Sequence, residues 1–358
     1  MRGIVWTGSL DITDDLEVGE PGPNEVLVRV VSAGVCHSDL SVIDGTIQFP
    51  TPVVLGHEGA GVVEAVGSSV TLVEPGDHVV VITMEYCGAC AKCDIGQPTL
   101  CLNQTNRIIN NRPFTYKGQP AYAFANAAVF SEYTVIRENQ AVKIDKDISF
   151  DAASLLGCGV MTGAGAVFNR AKVERGSTVA VIGVGGIGLN VIQASAISGA
   201  TTIIAIDALE SKEPFAYSFG ATHFVNGRDV DAVARVKELC PRGVDYSFEC
   251  VGRPNLIRQT LDMLAPGGTC VAIGTNPPGS DIVFPVKDIN LDKTIMGCRY
   301  GTAKPHRDVP LFIDLYRSGR MKLDELVSRR YPIDDIEAVF ADMKSGTIAR
   351  GVLGIGTA

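Results

Sequence analysis

Apolar and polar positions change rhythm once along this chain. Up to about Leu155, short β-branched runs stand between Gly, Pro and Asp: Glu25–Ser32, Gly61–Gly67 and Asp77–Ile82. Such runs predict a mostly antiparallel, barrel-like first domain, with Pro75-Gly-Asp77 as a turn between strands. The stretch Cys101 to Phe130 has little periodicity and is rich in Asn, Pro and Tyr, which predicts a long loop. After Leu155 apolar runs at Thr178–Ile182, Thr202–Asp207, His223–Asn226, Val244–Glu249, Thr269–Ile273 and Thr294–Gly297 alternate with helical stretches. That alternation predicts a doubly wound parallel sheet of six strands. From about Arg299 helices are expected at Val309–Tyr316 and Ile333–Lys344, on a tail that returns to the first domain. No internal repeat or low-complexity segment interrupts the pattern.

The run Thr178 to Asp207 carries specific chemistry. Its first strand leads directly into Gly183-Val-Gly185-Gly186-Ile187-Gly188. There Gly183 allows a tight turn, Gly185 admits a pyrophosphate against the backbone, and Gly188 lets the new helix pack on the strand. The phosphates would sit at the helix N-terminus. Asp207 closes the second strand about 20 residues further on, where a carboxylate grips a ribose 2′-hydroxyl and repels a 2′-phosphate. The motif predicts dinucleotide binding with NAD favoured over NADP.

A chain of 358 residues fits two domains, and a hydrophobic fraction of 46% with 39 glycines fits a compact α/β protein. A formal net charge of -9 argues against nucleic acid or an anionic membrane as partner. The N-terminal residues lack a secretory pattern and no apolar run is long enough to span a bilayer, so a cytoplasmic location is expected. Thiols stay reduced there, and the ten cysteines need another role.

Cys87, Cys90, Cys93 and Cys101 lie on one short segment with repeated Cys-x-x-Cys spacing. The pattern fits a closed four-thiolate structural zinc site, with paired disulfides as the competing reading. A second set is scattered: Cys36, His57 with Glu58, and Cys158. Singly each reads as a buried thiol or a core histidine. Together they make a two-cysteine, one-histidine set that leaves a fourth zinc position open.

Gly34-Val-Cys-His-Ser-Asp39, Gly56-His-Glu-Gly-Ala-Gly-Val-Val63, the four-cysteine lobe, Gly157-Cys-Gly-Val-Met-Thr-Gly163, the glycine loop and Ile348-Ala-Arg350 follow one another in an order that resembles the zinc-dependent medium-chain alcohol dehydrogenases over nearly the whole length. The resemblance implies a GroES-like catalytic domain (1–155 and 299–358) with a structural zinc lobe (85–103). It implies an inserted Rossmann domain (156–298), an active site in the cleft, and two zinc ions per subunit. It makes Cys36, His57 and Cys158 the catalytic zinc ligands, Glu58 an alternate ligand and Asp39 the acid that orients the histidine. Ser38 becomes the hydroxyl that takes the alcohol's proton. Thr162, Lys212, Arg350 and His37 become coenzyme contacts, to nicotinamide, ribose and pyrophosphate. Many relatives carry a histidine three residues after Ser38; Ser41 stands there here, so proton relay beyond Ser38 must differ.

The activity implied is NAD-dependent, reversible oxidation of a primary alcohol to the aldehyde. By the same resemblance Ile47, Thr83 and Phe124 line the pocket and suit an aryl or allylic alcohol. The branch that oxidises S-hydroxymethyl thiol adducts is the alternative, with Arg107 and Arg112 able to receive carboxylates. A non-catalytic NAD-binding or zinc-storage protein is the alternative from another class. Cys240, Cys250, Cys270 and Cys298 fall outside both metal sets and read as buried structural thiols. A homodimer through the sheet edge near Thr294 to Gly301 is expected, with a homotetramer as the alternative.

Overall fold

The computed structural model describes residues 1–103 and 110–357. The chain divides into two compact units: Met1–Gly159 with Lys304–Asp314 and Leu323–Ala358, and Val160–Ala303 with Leu315–Lys322.

The first unit is built on two sheets. The strand Glu25–Gly34 is the spine of the larger one. It pairs antiparallel with Glu58–Val66, Tyr133–Arg137 and Arg350–Gly354. Its alternating Val26, Val28 and Val30 are fully buried, as a strand with one face on a core requires. The last strand of the chain docks beside it, and of the C-terminal segment Lys304–Asp314 and Leu323–Ala358 belong to this unit. The smaller sheet runs in the order Leu10–Thr13, Gly3–Trp6, Val53–Val54, Gln119–Ala123, Phe114–Tyr116, Leu16–Val18.

The expected long loop from Cys101 to Phe130 is corrected in part. Strands Phe114–Tyr116 and Gln119–Ala123 form an antiparallel hairpin. Its two turn residues, Lys117 (φ 48°) and Gly118 (φ 73°), are both left-handed, the backbone twist that joins adjacent strands with a two-residue loop. Arg107 lies outside the described residues.

The second unit is a parallel six-stranded sheet. In space its strands run His223–Asn226, Thr202–Asp207, Thr178–Ile182, Val244–Glu249, Leu264–Ala272, Thr294–Gly297. The order of a dinucleotide-binding sheet is reproduced, with the strand that leads into the glycine turn at its centre. Thr178–Ile182 is buried from Val179 to Ile182, which is why it reads as a continuous apolar run. The strand expected at Thr269–Ile273 begins earlier, at Leu264, through a bulge near Val244 and Tyr246 of its neighbour. The C-terminal helices are also longer or shifted: Pro305–Arg317, and Ile336–Ser345 after a tight turn at Ile333–Asp335.

Helix Phe150–Ala171 is long and apolar enough to cross a membrane by composition, but 83% of its apolar window is buried inside the protein. A helix apolar on every side is a core helix here.

Candidate active site

Two cysteine-containing clusters form within the first unit. In the lobe, Cys87, Cys90, Cys93 and Cys101 bring their sulfur atoms within 4.8 Å of one another. The Cys90–Cys93 and Cys87–Cys93 sulfurs are 3.6 and 4.0 Å apart. The edge of a tetrahedron with Zn–S arms of about 2.3 Å is about 3.8 Å. Backbone amides aim at the same sulfurs: Cys87 N–H donates to Cys101 Sγ (3.3 Å) and Leu102 N–H to Cys90 Sγ (3.5 Å). Leu102 N–H, with Cys93 N–H after it, brings the Cys90 thiol down to about 6. All ten cysteines are free, so the disulfide reading does not hold.

The second cluster joins residues far apart in sequence. Cys36, His57, Glu58 and Cys158 place one donor atom each within 4.8 Å of the others. Cys36 stands at the N-cap of helix His37–Ile43. His57 and Glu58 come at the start of strand Glu58–Val66. Cys158 sits in the widened π-turn Leu156–Val160, an irregularity that redirects a side chain from a helix. Gly157 is needed there, since a Cβ would lie 2.4 Å from the Val81 carbonyl oxygen.

Asp39 ties the first two loops together. Fully buried, it accepts from Cys36 N–H through Oδ2, and from Gly56 N–H and the His57 ring through Oδ1, each at 3.1 Å. Because Asp39 holds the His57 Nδ1–H, Nε2 is left as the ring's donor atom. Burial works to keep His57 neutral, yet Asp39 and Cys36 together push its pKa well up. A hydrogen bond from Cys158 lowers the Cys36 thiol, and the same contact with burial raises Cys158.

Beneath the sulfurs lies a buried ion pair between Arg350 and Glu58 Oε1, and the same guanidinium reaches the Val35 carbonyl at 3.3 Å. Gly34 and Gly159 make room, because a Cβ on either would press on Glu58 Oε2 (2.6 Å) or Arg350 (2.5 Å). Glu58 Oε2 has no hydrogen-bond partner. Burial raises the Glu58 carboxyl to about 7 against the pull of Arg350. Removing one member of such a pair costs about 3–5 kcal/mol, because the other charge stays buried. Arg350 is therefore no solvated surface charge; its guanidinium serves this cluster.

Two thiols, an imidazole nitrogen and an unpartnered carboxylate oxygen converging in a buried pocket fit a zinc ion, which takes this mixture of S, N and O donors. Ser38 lies beside them, its Oγ 3.8 Å from Cys36 Sγ. Phe124 covers one side, edge-on to the His57 ring at 5.4 Å, and Phe49 meets Phe124 at 5.4 Å. Ile47 is half-buried against the same apolar core. Thr83 is half-buried just beyond the strand His78–Val81, Ser41 is half-buried, and His37 is exposed. Phe49 was not anticipated from the sequence; its signal was an aromatic residue close after Ile47.

The second unit holds the glycine turn. Gly183 has φ 95°, and a Cβ on Gly188 would lie 1.7 Å from the Gly183 oxygen. Beside Gly185, the N-cap of helix Gly186–Ser198, nothing lies within 4 Å of where a Cβ would point. That open space at a helix N-terminus fits a pyrophosphate. Asp207 accepts from Val184 N–H (2.7 Å) and Leu209 N–H (3.0 Å), so the carboxylate also fixes the turn. Lys212 is buried, its ammonium 5.7 Å from the Phe215 ring, and burial lowers its pKa against the pull of Asp207. Thr162 is buried, and its neighbour Gly163 packs against Ile187 and Asn190 of the glycine-turn helix. Glu249 was missed: it ends the strand beside the turn, and its Oε1 accepts from Val251, Gly252 and Arg253 N–H at 2.9, 2.7 and 3.4 Å.

Sequence profiles match both parts of the chain. The alcohol dehydrogenase GroES-like domain matches residues 22–146, and the zinc-binding dehydrogenase domain matches 186–318. A class-3 alcohol dehydrogenase of Caenorhabditis elegans is 36% identical over 98% of this chain and 95% of its own. The chain belongs to the zinc-dependent medium-chain alcohol dehydrogenases. An S-(hydroxymethyl)glutathione dehydrogenase of Haemophilus influenzae is 37% identical over 95% of this chain and 92% of its own. The crystal structure of benzyl alcohol dehydrogenase from Acinetobacter calcoaceticus superposes with a TM-score of 0.94 at 35% identity, covering 99% of each chain. The family expected from the sequence motifs is the family found. The chain is accordingly an oxidoreductase acting on CH–OH donors, with zinc and a nicotinamide dinucleotide as cofactors, and the non-catalytic alternative falls away.

Proposed function

We propose that this enzyme oxidises a primary aryl or allylic alcohol reversibly to its aldehyde, with NAD as the hydride acceptor. The Phe124 ring edge-on to His57 carries the reading, because it puts an aromatic wall against the metal cluster. When bound, zinc supplies Lewis acidity to the alcohol oxygen, and the nicotinamide takes the hydride. Cys36, His57 and Cys158 would hold the ion, and Glu58 Oε2 stands ready as an alternate donor beside Arg350. Asp39 keeps His57 in one tautomer. Ser38 Oγ can take the hydroxyl proton of the alcohol only while handing on its own, and with Ser41 where relatives carry histidine, that onward transfer goes to water. Phe124, Ile47 and Thr83 exclude water from the reacting carbon. Gly183, Gly185, Gly186, Ile187 and Gly188 would cradle the pyrophosphate, Asp207 and Lys212 the adenosine ribose, and Thr162 the nicotinamide. Four thiolates at Cys87, Cys90, Cys93 and Cys101 would hold a second, structural zinc.

A second reading has its own support. Relatives named S-(hydroxymethyl)glutathione dehydrogenase match nearly the full length, and exposed Arg112 stacks over Tyr122 at 5.4 Å, where a substrate carboxylate could meet it. Rates with benzyl alcohol, and with formaldehyde plus glutathione, each run with NAD and with NADP, separate the two. The aryl reading expects kcat/KM for benzyl alcohol with NAD to exceed the others at least tenfold; faster turnover of the thiol adduct would reverse the order. We place the enzyme in the cytoplasm, where its ten free thiols would persist. We also propose that it forms a homodimer along Thr294–Gly297. Among the described residues that strand is the edge of its sheet, and Val283, Val286 and Ile289 expose their side chains in the segment before it.

A further inference from the structure

The backbone that presents Phe124 is held in a conformation its residues do not favour. Ala125 (φ 52°), Asn126 (φ 57°) and Ala128 (φ 49°) are all left-handed without being glycine. Such residues persist where the surroundings over-determine them, and they gather at functional sites. Here the surroundings are buried polar side chains. Asn126, wholly inaccessible, donates from Nδ2 to Glu85 Oε2 (3.2 Å), and Glu85 is paired with Arg137 Nε at 3.3 Å. The Gln140 amide donates to the Asn126 carbonyl (3.1 Å) and to the Ile82 carbonyl (3.0 Å). Thr134 Oγ1 and Ser131 Oγ donate to the Ala127 and Ala128 carbonyls at 2.6 and 2.8 Å. The Phe124 carbonyl itself accepts from Ala127 and Ala128 N–H.

One carboxamide thus ties the backbone just before Thr83 to the turn just after Phe124. Both neighbours are pocket walls in the reading above. We propose that Gln140, together with Asn126 and Glu85, is a positioning residue for substrate selection: it fixes the left-handed turn so that the Phe124 ring stays against His57 and the pocket keeps the flat shape an aryl alcohol needs. The proposal rests on Phe124 being a wall of the substrate pocket. Without the clamp the three residues relax toward ordinary backbone angles, the ring swings, and an aromatic substrate loses more than a small alkyl one.

The test compares kcat and KM for benzyl alcohol and 1-propanol in zinc-replete enzyme. Asn126→Gly tolerates the left-handed angle and still removes the tie to Glu85, so it keeps the fold. Asn126→Gly and Gln140→Met should each lower the benzyl/propyl ratio of kcat/KM about tenfold, chiefly through KM for benzyl alcohol. Phe124→Ala should lower the same ratio, and adding Asn126→Gly to it should cost nothing more, because both act on one ring. If Phe124→Ala lowers the ratio while Asn126→Gly does not, or if the two effects add in full, the clamp is refuted and the pocket reading stands. If Phe124→Ala leaves the ratio unchanged, the pocket reading fails and the clamp with it. Should Gln140→Met not fold, Gln140→Asn takes its place: it keeps a buried amide but is too short to bridge the Ile82 and Asn126 carbonyls, and the same fall in the ratio is expected, an unchanged ratio refuting the clamp.

Discussion

Asp39 is the residue on which the catalytic cluster turns. Its two oxygens hold Cys36, Gly56 and His57 at once, so one buried carboxylate sets both the position of a thiol and the tautomer of an imidazole. Asp39→Ala should weaken the catalytic zinc about 10- to 100-fold, the usual effect of removing a partner that orients a ligand. The four-cysteine site shares no residue with it. Metal analysis after dialysis against a mild chelator should find about one zinc per subunit, and retention of two would show that His57 needs no such partner. The motif around Asp39 was legible in the sequence through resemblance, but its hydrogen bonds were not. Spacing says that Asp39 lies three residues after Cys36; only the fold brings Gly56 and His57 to it. Arg350 teaches the same lesson: resemblance makes it a coenzyme contact, and nothing in the sequence reports its buried pair with Glu58, for which Gly34 and Gly159 leave room.

At the scale of elements, buried parallel strands announced themselves. Thr178–Ile182 and Thr202–Asp207 were read with their observed bounds, since apolar β-branched runs between turn residues admit few other structures. The hairpin Phe114–Ala123 was hidden for two reasons. Its strands are short, and its turn is Lys-Gly in place of the commoner Asn-Gly. The π-turn at Cys158 has no sequence signal beyond its flanking glycines. The outer strand Thr294–Gly297 supplies the prediction at this scale. Its ladder groups on one side have no strand partner among the described residues, and Val286 on the helix before it is 71% exposed. Val286→Glu should shift the enzyme from dimer toward monomer in sedimentation at micromolar concentration, with NADH binding retained. An unchanged sedimentation coefficient would place the interface elsewhere.

Across the whole molecule, each unit carries its own part of the chemistry: the metal ligands in one, the glycine turn and Asp207 in the other. The change of rhythm near Leu155 has its physical reason in the sheets, because antiparallel and parallel sheets bury different faces and write different patterns. What the pattern could not carry was convergence. Cys158 lies more than a hundred positions beyond Cys36 and His57, and no periodicity reports that the three meet. The division also gives the most direct test of the mechanism, since the metal can be lost while the nucleotide site survives. Cys158→Ala enzyme should be measured for zinc content, NADH affinity and benzyl alcohol turnover in one preparation. The account predicts about one zinc per subunit, an NADH Kd within about twofold of the parent, and turnover reduced at least 10³-fold. Two zinc ions with near-parental turnover would contradict it.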